Sequence, residues 1–77
     1  KKVIIEEGVI NIPDQAFHGC KNLNEVSMAY TVQEMGAYSF CECVALGEIT
    51  IPKRIKVIEV NTFNGCTNLE KIIIPDN

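Results

Sequence analysis

At 77 residues, 47% hydrophobic and 22% charged, the chain has room for one domain and lacks any apolar run near the roughly 18 residues of a membrane span. Seven basic against ten acidic residues leave a net charge of −3, which argues against nucleic acid, whose binders carry a basic face. A chain this short buries only about 60% of its unfolded surface, so an ordinary globular core would be marginal.

The chain starts Lys1-Lys2-Val3, with no initiator Met, no apolar signal segment and no small-residue cleavage site, and reads as a piece of a longer protein. Val3 and Ile5 stand 23 residues before Val26 and Met28, so residues 1–8 form a half unit, the last strand of a preceding repeat. Three full units follow at 9–31, 32–54 and 55–77.

The same interval of 23 links Val9, Val32 and Ile55; Ile12, Met35 and Ile58; and Phe17, Phe40 and Phe63. It also links Cys20, Cys43 and Cys66; Leu23, Leu46 and Leu69; Val26, Ile49 and Ile72; and Met28, Ile51 and Ile74. Seven columns keep apolar or Cys identity without an insertion, the mark of a repeat array.

Within a unit, the first apolar pair, such as Ile55 and Ile58, suits a short strand or tight turn. The next segment, Thr62-Phe63-Asn64-Gly65-Cys66-Thr67-Asn68, is a compact turn or single helical turn with Phe and Cys directed inward. Leu69-x-x-Ile72-x-Ile74 then alternates apolar residues at period two and reads as a strand, as do its counterparts. Pro52 and Pro75 follow two of these strands and end them, since proline cannot donate to a ladder.

One coil of 23 residues cannot bury its own Phe, Cys, Leu and Ile, but stacked coils form continuous ladders of like side chains. The fold class that follows is a repeat solenoid of the leucine-rich-repeat kind, β-rich, with parallel strands stacked coil on coil. Phe17, Phe40, Phe63, Cys20, Cys43, Cys66, Leu23, Leu46 and Leu69 are its expected core ladders.

The segments Ala16-Phe17-x-Gly19-Cys20-x-Asn22-Leu23 and Phe63-x-Gly65-Cys66-x-Asn68-Leu69-x-x-Ile72-x-Ile74-Pro75 resemble the BspA-like class of leucine-rich repeat along the whole chain. The middle unit departs from that pattern, with Ser39 in the Ala column and Glu42 in the Gly column. The resemblance implies a secreted or cell-surface protein of a host-associated microbe and a role in adhesion to host proteins or other cells. The repeat pattern carries no catalytic residues.

The cysteines of one column favour reduced thiols, because parallel inward side chains do not suit the roughly 90° torsion of a disulfide. Cys41 lies outside that column, aligned with His18 and Asn64, and is expected at the turn surface as an accessible thiol. His18, Cys20, Cys41 and Cys43, on neighbouring units, are residue types that a zinc set could use. Two of them belong to the core column and the C-x₂₋₄-C spacing is missing, so no metal or other cofactor is expected. A lone His18 with no local Asp or Ser partner and no Gly-rich phosphate loop leaves no expectation of catalysis.

Because strand side chains alternate, the outward face of the main strands is the candidate partner surface. It comprises Lys2, Glu25, Glu48 and Lys71 in one row and Ile4, Ser27, Thr50 and Ile73 in the next. The expected function is a non-enzymatic protein-binding or adhesion module. The alternative is a structural spacer in a longer array, or a protomer that stacks on copies of itself through uncapped ends.

Overall fold

A computed structural model describes residues 1–59 and 61–74. The expectation that Pro75 ends the last strand lies outside them. Six strands follow in chain order: β1 Lys2–Ile5, β2 Asn11–Ile12, β3 Glu25–Met28, β4 Glu34–Met35, β5 Glu48–Thr50 and β6 Lys71–Ile73. Four of them form a parallel sheet in the order β1-β3-β5-β6, and β2 pairs in parallel with β4. Every paired residue lies 23 positions from its partner, as in Val26↔Ile49 and Ile12↔Met35. The chain is therefore a parallel β-solenoid of about three turns, with one repeat per turn.

The segment between the two sheets forms tight turns, and among the described residues there is no helix. Its amides alternate between two destinations. Those of Gln15, Phe17 and Gly19 donate to the carbonyls of Ala37, Ser39 and Cys41 on the next coil, at 3.0, 2.8 and 2.8 Å. Those of Ala16, His18 and Cys20 fold back to the carbonyls of Pro13, Gln15 and Phe17, each at 3.2 Å. An α-helix would direct every amide back along its own turn and leave the neighbouring coil unpaired. Here each coil is bonded to the next through its turns as well as through its strands.

That alternation comes with left-handed backbone at two columns, at Gln15 and Tyr38 with φ of 60° each, and again four residues further on. Gly19 and Gly65 adopt it with φ of 72° and 82°, and Glu42 adopts it at 59° in the middle coil. A Cβ on Gly65 would also stand 2.9 Å from Glu42 Cγ, so the third coil needs glycine there for space as well as for dihedral.

The core runs along the solenoid axis through Ile12, Leu23, Val26, Met28, Val32, Met35, Phe40, Cys43, Leu46, Ile49 and Ile51. Burial peaks in the middle coil, where Phe40, Cys43, Leu46 and Ile49 are wholly enclosed. Phe17, Cys20, Phe63, Cys66 and Leu69 occupy the same columns but are half-buried, because each end coil has a neighbour on one side only. The phenylalanine rings stack, Phe17 on Phe40 at 5.2 Å between centroids and 6° between planes, and Phe40 on Phe63 at 6.0 Å and 14°.

Cys41 corrects the sequence reading. It is buried, not accessible, with 3% of its surface exposed. Its side chain is short and lies in the middle coil. The ligating atoms of His18 and Glu42 lie within 4.8 Å of its sulfur, and both of those residues are exposed. All four cysteines are free thiols.

Candidate partner-binding face

The outward side of the four-stranded sheet is assembled from alternate residues of β1, β3, β5 and β6. Register places Lys2, Glu25, Glu48 and Lys71 side by side in one row across the strands. Ile4, Ser27, Thr50 and Ile73 form a second row alongside. With neighbouring parallel strands about 4.8 Å apart, each row is a straight ridge of four side chains. The buried partners of these rows, Val26 and Ile49, fix the alternation, since a one-residue slip would turn the apolar set outward.

The charges along the first row follow the order plus, minus, minus, plus. Lys2 Nζ lies 3.4 Å from a Glu25 carboxylate oxygen, an exposed contact of little energetic weight. Glu25 and Glu48 are direct register neighbours, and like charges facing each other on one sheet are mutually destabilising. A cationic group brought to that pair from outside would relieve the repulsion. In the second row the hydroxyls of Ser27 and Thr50 lie between two isoleucines, of which Ile4 is 63% exposed. The face thus offers an acidic centre, hydroxyl donors and acceptors, and an apolar margin.

Away from this face, the turns bring together His18, Cys41 and Glu42, whose ligating atoms all lie within 4.8 Å of one another. Cys20 and Cys43, the other two members of the possible zinc set in the sequence, belong instead to the core column, where Cys43 Sγ donates to the Phe17 carbonyl at 3.1 Å. Glu42 stands outside that sequence-derived set. Its signal was present in the sequence as a Glu in a column otherwise occupied by Gly19 and Gly65.

Stacked parallel coils, a 23-residue period and one continuous core make this a leucine-rich-repeat solenoid. The family model described as BspA type leucine rich repeat region (6 copies) matches residues 1–77, and the chain belongs to that family. No curated protein matches it. A leucine rich cell surface protein from Faecalibacterium prausnitzii, known from a crystal structure, is similar at a TM-score of 0.52 and 20% identity. The likeness covers 99% of this chain and 32% of that one, so this chain spans about a third of its neighbour's length. At that identity the likeness is one of fold.

Proposed function

We propose that the chain is a non-enzymatic protein-binding module of an extracellular or cell-surface adhesin, and that it binds through the outward face of the sheet β1-β3-β5-β6. The observation that carries this reading is the pair Glu25 and Glu48, two carboxylates held in adjacent register at the centre of an open face with lysines at either end. A folded protein gains nothing from that repulsion by itself, whereas a partner bearing Lys or Arg gains from it. Membership in a family of repeat proteins supports the same reading, and so does the cell-surface protein that shares the fold.

The test is retention of beads coated with the chain on cultured epithelial cells. Beads carrying the Glu25→Lys, Glu48→Lys double variant should be retained roughly tenfold less, the scale of losing one central contact. Wild-type beads that do not adhere, or variants that adhere equally while folded by circular dichroism, would overturn the reading.

A second reading, of coils stacking on further coils or on copies of the chain, is favoured by the third turn. There Ile72 and Ile74 stand in inward columns yet are 48% and 57% exposed. Surface of this kind gains by burial against another coil, and head-to-tail contacts need not close. Sedimentation velocity over a wide concentration range checks it: association that grows with concentration supports stacking, and a constant monomer excludes self-stacking.

A further inference from the structure

We infer that His18, Cys41 and Glu42 form a binding site for a divalent transition cation of the zinc type, lying in the turns and separate from the sheet face. The residues come from adjacent coils that the backbone holds in fixed relation. The Gly19 amide donates to the Cys41 carbonyl at 2.8 Å, and the Glu42 amide donates to the Asn64 carbonyl at 2.6 Å. His18 and Cys41 occupy the same column one coil apart, so stacking itself sets imidazole beside thiol. The carboxylate of Glu42 completes the triangle, with all three ligating atoms within 4.8 Å of one another.

The donor set selects the ion. One thiolate, one imidazole and one carboxylate suit zinc and its neighbours, whereas calcium and magnesium demand oxygen throughout. Bonds of about 2.0–2.3 Å at tetrahedral angles put zinc ligands roughly 3–4 Å apart, a small rotamer adjustment from the separations present here. Three protein ligands leave one position for water. Cys41 is buried while His18 and Glu42 are exposed, which gives a sulfur donor shielded from oxidant and an open path for the ion. On binding, the Cys41 thiol gives its proton to solvent and the thiolate bonds the metal.

A cysteine–histidine–acid relay, the other chemistry of these residue types, fits less well. In a relay the acid lies beyond the imidazole, far from the sulfur. Here the carboxylate converges on sulfur and nitrogen alike.

The middle coil departs from the repeat at one ligating position, with Glu42 standing between Gly19 and Gly65, while His18, Cys41 and Asn64 share no residue type in their column. Glu42 holds φ at 59°, as Gln15 and Tyr38 hold 60°, in a region that glycine adopts more freely than a residue with a side chain.

Titration of the metal-free chain with cobalt(II) tests the site. A thiolate-to-cobalt charge-transfer band should grow to a single ion per chain and disappear when zinc displaces it. Cys41→Ser, which keeps the other three thiols, should abolish the band. His18→Asn and Glu42→Gly should weaken binding by about tenfold or more, of the size expected for perturbing a metal shell. Glu42→Gly should melt no lower than wild type without metal, because it relieves strain, so its loss of binding cannot be ascribed to unfolding. Absence of the band, its survival in Cys41→Ser, or undiminished affinity in Glu42→Gly would each overturn the inference.

Discussion

The Cys43 thiol donates a hydrogen bond to the Phe17 carbonyl at 3.1 Å, from one coil to the coil before it. Cys66 repeats the contact on Phe40 at 3.0 Å. The carbonyls of Phe17 and Phe40 also accept the amides of Cys20 and Cys43 within their own turns. A buried thiol in this column therefore donates to a carbonyl instead of pairing with its neighbour, which accounts physically for free cysteines in a ladder.

Phe40 is wholly enclosed between Phe17 and Phe63. Phe40→Ala is expected to cost about 3–5 kcal/mol, the range for emptying a large core position. Phe17→Ala, half-buried at an end coil, should cost visibly less. Urea unfolding followed by circular dichroism measures both, and equal losses would contradict the picture of a core centred on the middle coil.

Alkaline pH should destabilise the fold through Cys43. Burial pushes its thiol from the ordinary 9.0 up to about 11, against a smaller lowering from a backbone hydrogen bond. The folded state thus keeps the proton longer than the unfolded chain. The stability this contributes is full below pH 9 and is lost as pH climbs toward 11, by an amount on the order of 1–3 kcal/mol. In Cys43→Ala, unfolding measured from pH 8 to 11 should show a flatter decline than wild type, even though the variant starts less stable. Parallel slopes would refute the assignment.

Thiol labelling should follow burial. In the metal-free native chain Cys20 should react with iodoacetamide first, since it is half-buried and borders an open cleft with Phe17 and Lys21. Cys66 is half-buried too, but desolvation raises its thiol and slows it. Cys41 and Cys43 are buried and should react only as the chain opens. Peptide mass mapping at short times reads the order, and early labelling of Cys41 would contradict its burial.

Ser39 Oγ is buried without a hydrogen-bond partner among the described residues, in the column that Ala16 fills in the coil before. Ser39→Ala removes an unpaired polar atom and should raise stability by about 1–3 kcal/mol. The urea midpoint should move up with an unchanged slope. A drop would mean that Ser39 has a partner, such as a bound water.

Period, register and the sorting of side chains into core and surface could be read from the residues alone. A strict 23-residue spacing admits one way of stacking, and β-alternation then assigns Val26 and Ile49 inward and Glu25 and Glu48 outward. The short strand expected around Ile12 and Met35 followed from the same spacing, although in the third coil Ile58 lies in no strand and is exposed. What the columns could not reveal was the path of the chain between strands. Whether residues 14–19 formed one helical turn or several tight turns depended on where their amides found partners, and those partners sit on the next coil, 22 residues away in sequence. The turn path in turn decided the fate of the residues at its edge. The carboxylate of Glu42, on left-handed backbone, stands beside His18 and Cys41, and the thiol that its column alone placed at the turn surface is buried. Spacing along a chain determines which residues can stack, but the dihedral angles of a turn determine which side chains converge.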